Sequence, residues 1–212
     1  MKSRIYRIEQ MTPQQLEQAA ALIDGGAVAV YPTDTVYGIG ACAFDEGAIR
    51  RIYQIKQRPA GAALQILTGS VEQARQITQW SDDAEKLAAA FWPGALTMIL
   101  RPNEKGEPLR RGFEGLGLRV PAHPPLARLL GAMKCPLAST SANLHGRPVF
   151  TREDEVTEFF DGKADIIFAG GTLGARASSV LDLTGPQPVL LRQEALSRKA
   201  LEKVLGKTLK QL

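Results

Sequence analysis

The sequence is poor in several residue types, and each shortage removes a class of explanation. Only two cysteines, Cys42 and Cys135, stand among its 212 residues. They lie in apolar stretches without a CxxC partner, so buried thiols are expected rather than a zinc site or a disulfide framework. The two histidines, His123 and His145, lack metal-ligand spacing and read as loop residues, not catalytic bases. No apolar run approaches the length of a membrane span, and the start MKSRIYRIEQ has no signal-peptide core. The expected location is the cytoplasm. A P-loop is missing, GGTLGARA at 170–177 is too loose for a dinucleotide fingerprint, and no serine has a GxSxG setting. With no internal repeat, low-complexity segment or linker, residues 1–212 are expected to form one domain.

What is present is ordinary for a globular protein: 44% apolar and 23% charged residues. A net charge of +4 and a pI near 9.2 would help attract phosphates or RNA without identifying a nucleic-acid binder. Lys199, Lys203, Lys207 and Lys210 read as a solvated helix face.

Helix and strand signals alternate along the chain. Thr12, Pro13 and Gln15 form a capping box with proline at the first helical position, and Gly25-Gly26 stops that helix. AVAVY, bounded by Gly and Pro, predicts a buried strand. Asp45 caps a helix with an apolar stripe at Ile49, Ile52 and Ile55 that runs to Lys56. ALQIL, LTMIL, GLRV, PLAST, DIIFAGG, SSVLDL and PVLLR are further strand candidates. Helices are expected after Ser81, over Leu126 to Met133, within TREDEVTEFF behind a cap, and from Glu194 onward. The polar stretch 102–115 is either a lid or, better supported by loop-length statistics, a long hairpin connection.

The polar clusters fall at strand ends, where open α/β sheets bind ligands. Thr33, Asp34 and Thr35 follow AVAVY; Ser139, Thr140, Ser141 and Asn143 follow PLA; Ser178 and Ser179 open SSVLDL. Each cluster alone could merely cap a helix or satisfy a loop. Cations stand nearby: Lys56 and Arg58 at a helix end, Arg119 inside GLRVP, and Arg192 closing PVLLR. The two strand arginines need partners, either a bound carboxylate or phosphate or an internal salt bridge with Asp34 or Asp182. The composition suits electrostatic catalysis, in which several anionic groups are held together without a protein nucleophile.

Read in order, YPTDTVYGIG, IYQIKQRP, FWPGALTMIL, LRVPAHP, STSANLHGRP and SSVLDLTGPQPVLLR resemble the YrdC-like (TsaC) family of threonylcarbamoyl-adenylate synthases over about residues 15–195. The resemblance implies an α/β fold, a single domain with a twisted, mostly mixed open sheet flanked by helices around a basic cavity. It also implies a nucleotidyltransferase that joins L-threonine, bicarbonate and ATP, the ATP carrying Mg2+, into threonylcarbamoyl-AMP and pyrophosphate. A partner transferase would then modify adenosine 37 of tRNA. By position, Lys56 and Arg58 match the family's KxR motif, and Ser141 and Asn143 its SxN motif. These four and Arg192 are expected to bind ATP, with Lys56 and Arg58 as the catalytic pair. Thr35, Arg119 and Ser178 match threonine-holding positions, and no protein metal ligand is implied.

The chain departs from the family pattern at Gly61, Ala62 and Ala63, where polar residues are usual. It also departs at Leu67, Gly115, Gln193 and Glu194. Ending soon after the motifs, it resembles the short form of the family. The alternative carried beside the synthase is a non-enzymatic RNA-binding paralogue. A carbamoyl-transfer domain like that of hydrogenase maturation proteins is disfavoured by the lack of acylphosphatase and zinc-finger segments.

Overall fold

The computed structural model describes residues 2–174 and 176–211. The predicted capping box is made: Thr12 Oγ1 accepts from Gln15 N and Gln15 Oε1 from Thr12 N, opening α1 (Pro13–Asp24). The chain then enters β2 (Ala29–Tyr31), after an N-terminal strand β1 (Arg4–Arg7) that the sequence reading missed. Asp45 caps α2 (Glu46–Lys56), and Gln57, at φ 50°, ends it in the left-handed region. Between them lies β3 (Gly38–Cys42), also missed because glycines break the strand pattern. Those glycines have a use. Tyr31 lies flat across them, and a Cβ at Gly38 or Gly40 would stand 2.6 Å from its ring or hydroxyl.

The remaining elements are β4 (Gln65–Leu67), α3 (Val71–Arg75), α4 (Asp82–Phe91), β5 (Leu96–Leu100), β6 (Leu116–Arg119), α5 (Pro124–Ala132) and β7 (Leu137–Ser141). They are followed by α6 (Glu153–Phe160), β8 (Ile166–Ala169), β9 (Ser179–Asp182), β10 (Val189–Arg192), α7 (Arg198–Leu205) and β11 (Lys210–Gln211). The expected side-chain cap of α6 is not made: its N-cap is Arg152, which forms no capping bond, and three acids in its first turn favour the helix dipole instead. His123 caps α5 through Nδ1, which accepts from Leu126 N. Lys199, Lys203, Lys207 and Lys210 are exposed, while Leu201 and Leu205 turn α7 inward.

Among the described residues, all eleven strands join one open mixed sheet in the order β1-β8-β2-β3-β7-β4-β6-β5-β9-β10-β11. One face is covered by α2, α4, α6 and α7, which bury Ile49, Ile52, Leu87, Phe160 and Leu201 against Val30, Ile39, Ile66, Met98, Leu118 and Leu181. Each such side chain, fully buried, contributes about 1.5–3 kcal/mol. The other face is only half covered. There α1 and α5 pack on Ala29, Tyr31, Leu67, Leu137, Ile166 and Phe168. The rest of that face, on β4, β5, β6, β7 and β9, carries no helix and floors a cavity. The segment 102–115 is the β5–β6 hairpin connection: Asn103 ties its start to the Gln76 carbonyl at 3.0 Å, Leu109 is buried, and its second half walls the cavity.

The two cysteines, distant in sequence, are brought together. Cys42 pairs with Leu137, and Ala43 N donates to Pro136 O at 2.9 Å, which sets Cys42 beside Cys135. Cys135 Sγ donates to Asp24 Oδ1 at 3.0 Å. Both thiols are free. The neighbouring Cys135 holds the Cys42 thiol below its ordinary value, whereas contact with Cys42, burial and Asp24 push Cys135 up. A depressed acid stabilises the fold above its unfolded pKa, and that contribution is lost as pH falls through the folded value. A thiolate absorbance step below the pH of an ordinary thiol, about 8.5, is therefore expected. It should vanish in Cys42→Ser and move upward in Cys135→Ala; an unmoved midpoint would contradict this pairing.

Candidate functional site

The open half-face lies under a cavity of about 600 Å³, a size typical of small-molecule sites. Strand alternation explains its floor. On β4, Gln65 faces the cavity while Ile66 faces the helices; Thr97 and Ile99 do the same against Met98, Gly117 and Arg119 against Leu118, and Ser139 and Ser141 against Ala138. Arg110, Arg111, Arg119 and Arg192 line the cavity, together with the carboxylates Glu114 and Asp182.

Arg119 is the most constrained of these. It is 2% exposed, and every nitrogen has a partner: Nε donates to Gly94 O at 2.9 Å, Nη1 to Thr35 Oγ1 at 2.9 Å and Nη2 to Asp34 Oδ1 at 2.5 Å. The FWPG turn thus supplies a carbonyl, and Gly94 must be glycine there, since a Cβ would meet Phe91 O at 2.4 Å. The internal ion pair with Asp34 exists, and Arg119 lines the cavity as well. Burial pulls its pKa below the ordinary value, Asp34 opposes that, and the nearby Arg192 adds to it. Two guanidinium groups therefore share one region of the cavity.

The hydroxyls beside them have fixed polarity. Thr33 Oγ1 donates to Val36 O at 2.7 Å, so in its 2.9 Å contact with Thr35 it accepts, and Thr35 donates. Thr35 also accepts from Arg119. In the same way Thr97 Oγ1 donates to Gln65 Oε1 at 3.2 Å, so Ser178 donates to Thr97 across 2.8 Å. Ser178 Oγ in turn accepts from Arg192 Nη2 at 3.3 Å, and its carbonyl accepts from Arg192 Nε at 3.0 Å. Thr35 and Ser178 have used their protons and present only lone pairs to a ligand. No carboxylate pairs with Arg192 among the described residues.

A second cluster stands at the edge of the cavity. Lys56, 3% exposed, donates to Ser141 O, to Asn143 O at 2.7 Å and to Asn143 Oδ1 at 3.0 Å. All three of its protons are used in holding the STSAN loop. Burial first, and Arg58 second, lower its pKa to about 8. Ser141 Oγ donates to Asn143 Oδ1 at 2.6 Å, and Asn143 Nδ2 to Arg147 O at 2.6 Å. Arg58 reaches Thr140 Oγ1 and Ala63 O, both at 3.0 Å, and leaves Nε without a partner.

Of the residues singled out from sequence, Thr35, Arg119, Ser141, Ser178 and Arg192 line the cavity. Lys56, Arg58 and Asn143 stand behind its wall and shape it. Gln65, Thr97, Arg110 and Arg111 were missed: a lone neutral polar residue within ALQIL or LTMIL belongs to no polar cluster and, unlike a strand arginine, demands no charged partner, and arginines are unremarkable in a polar loop.

The departures also have physical readings. Leu67 is fully buried against α1 and α5, away from the cavity. Gly115 has no room for a side chain: a Cβ would sit 2.6 Å from Thr184, 2.7 Å from Ile99 and 2.9 Å from Leu100 O. Gly115→Thr, although it restores a family residue, should cost about 1–3 kcal/mol by overpacking; a urea melt as stable as wild type would refute this fit.

The fold and the cavity define an α/β protein with a cavity of small-molecule size on the uncovered half of a mixed sheet. More particularly, the chain belongs to the Sua5/YciO/YrdC family, whose model, described as Telomere recombination, matches residues 21–194. It is 39% identical over 202 residues to a threonylcarbamoyl-AMP synthase of Pyrococcus abyssi, covering 93% of this chain and 59% of that protein. The chain thus spans less than two thirds of that relative. It is 32% identical over 197 residues to the uncharacterized protein YciO of Escherichia coli K12, covering 90% of this chain and 95% of YciO. The crystal structure of P. abyssi Sua5 complexed with L-threonine superposes with a TM-score of 0.89 at 36% identity, covering 100% of this chain and 63% of the other. No helix among the described residues is long and apolar enough to cross a membrane.

Proposed function

We propose that this chain is an L-threonylcarbamoyladenylate synthase, a nucleotidyltransferase acting in the cytoplasm. It would join L-threonine, bicarbonate and ATP into threonylcarbamoyl-AMP, releasing pyrophosphate and water. The observation that carries this reading is the complementarity of one corner of the cavity to an α-amino acid. Thr35 and Ser178 offer lone pairs suited to an amine, and the remaining N–H groups of Arg119 suit its carboxylate. The relative crystallised with L-threonine and the relative named as the synthase support it.

Threonine's amine, once deprotonated, would take up bicarbonate as a carbamate, and a carbamate oxygen would displace pyrophosphate from the α-phosphorus of ATP. No protein nucleophile is needed. The contribution of this chain is proximity together with charge at the triphosphate, from Arg192, Arg110 and Arg111 on the wall. Ser141 faces the nucleotide, and Arg58, with its unpartnered Nε, stands one step behind. Lys56 and Asn143 set the loop that presents Ser141. Mg2+ would enter with the triphosphate and screen its charge. Only two carboxylates, Glu114 and Asp182, reach the cavity, and no group of three metal-binding side chains exists among the described residues. The product would pass to a transferase that modifies tRNA.

The test is incubation of folded protein with L-threonine, bicarbonate and Mg-ATP. Threonine-dependent pyrophosphate and the adenylate are expected. Folded protein that binds neither threonine nor ATP, and binds structured RNA instead, would overturn the reading.

A further inference from the structure

The stretch after KQRP lacks the polar residues usual in the family, yet the cavity floor recovers a polar group two residues later. Gln65 stands in β4 with its side chain on the cavity side. Its neighbour on β6 is Gly117, whose missing side chain lets Gln65 reach across that strand to Thr97 on β5. A Cβ at Gly117 would already touch Thr97 at 3.5 Å and Gln65 at 3.9 Å.

The polarity of this contact is set at Gln65: Thr97 Oγ1 donates to Gln65 Oε1, so Thr97 accepts from Ser178. Ser178 Oγ, which therefore donates to Thr97, also accepts from Arg192 Nη2. The hydrogen bonds run in one direction and end on the amide oxygen. The amide oxygen is thus occupied. Gln65 Nε2 has no acceptor among the described residues, so both its protons are available at the cavity.

A second donor stands beside it. Ser139 is the register partner of Gln65 on β7, and its hydroxyl accepts from Tyr31 at 2.6 Å, which leaves the serine proton for a ligand. Burial raises the Tyr31 pKa well above the ordinary phenol value, so Tyr31 keeps the proton it donates. Two neutral donors on adjacent strands thus lie side by side on the floor, separated from the charged pair Arg119–Asp34.

We infer that Gln65, with Ser139, binds the oxygens of the carbon dioxide-derived group: bicarbonate on entry, and the carbamate once the amine has added. The inference rests on the synthase reading and names a site within it. Its physical basis is spacing. Arg119 lies one strand over and two residues along from Gln65, a backbone separation of about 8 Å from sheet dimensions. That separation suits the two ends of an N-carboxylated amino acid, one carboxylate on Arg119 and the other on the neutral pair. Neutral donors also suit this group chemically, because they stabilise the carbamate without pairing so tightly with bicarbonate that the added carbon is withheld from the amine.

The test uses the full chain with Gln65→Leu and Gln65→Glu, each first matched to wild type in its thermal melt. Two measurements are made: binding of carbon-13 bicarbonate by NMR titration in the presence of threonine, and pyrophosphate release against bicarbonate concentration. Gln65→Leu should weaken bicarbonate about tenfold in both, and Gln65→Glu more, with threonine and ATP changed less than about twofold. Bicarbonate affinity equal to wild type in Gln65→Leu, a loss that falls on threonine instead, or a wild type that binds no bicarbonate would overturn the assignment. If bicarbonate binding depends on Gln65 but no pyrophosphate appears, the site stands and the synthase reading falls.

Discussion

Arg119→Ala is expected to abolish threonine binding and to destabilise the fold. Losing the guanidinium removes a charge-assisted contact to the carboxylate; with the local disorder that follows, threonine affinity should fall about 100-fold or more, roughly 3 kcal/mol. The same change strands Asp34, whose only ion-pair partner among the described residues is Arg119, and frees the Gly94 carbonyl. Breaking a buried pair from one side costs about 3–5 kcal/mol. The two effects separate in a double variant. Asp34→Asn added to Arg119→Ala should recover part of the stability in urea melts, because the carboxylate is no longer left unpaired, while calorimetry should still find no threonine binding. Recovery of threonine binding in the double variant would show that Arg119 serves only to neutralise Asp34.

Lys56→Met should be nearly as damaging, by an indirect route. Lys56 holds three acceptors of the STSAN loop; methionine keeps the side-chain bulk but leaves the Asn143 carbonyl without a donor, and Asn143 Oδ1 and the Ser141 carbonyl with only their bonds from Ser141 Oγ and Asn143 N. Water from the cavity side offsets part of the loss, so the expected cost is about 1–3 kcal/mol. Nucleotide affinity should fall about 10- to 100-fold as Ser141 loses its fixed position. Arg58→Ala provides the contrast. Its guanidinium makes two bonds at a half-buried site, so its loss should weaken nucleotide binding with a smaller stability cost. Thermal melts and nucleotide titrations of both variants decide the matter: a Lys56→Met protein as stable as wild type, with ATP affinity lost, would make Lys56 a direct ligand contact instead of a strut.

Both predictions concern residues that were visible in the sequence but whose roles were not. The positions of Thr35, Arg119, Ser141, Ser178 and Arg192 followed from polar or charged residues interrupting apolar strands or following them. Helix starts at Thr12, Asp45 and Ser81 were equally plain, because capping depends on residues three apart in the chain. The glycine strand β3 was hidden for the opposite reason. Its strand character comes from Tyr31 packing across Gly38 and Gly40, a contact with no trace in local propensity.

The sequence by itself determined the alternation of helix and strand, the family pattern and the chemical types available to the site. These depend on periods of two and 3.6 residues and on short-range caps. The tertiary structure alone decided which sheet face stays uncovered, that Arg119 takes Asp34 while Arg192 takes Ser178, and that Lys56 turns its protons to a loop. It also decided that Gln65 reaches Thr97 over Gly117. The physical reason is that hydrogen-bond polarity and strand register are set between residues tens of positions apart. A side chain's free donors are known only when all its partners are in place.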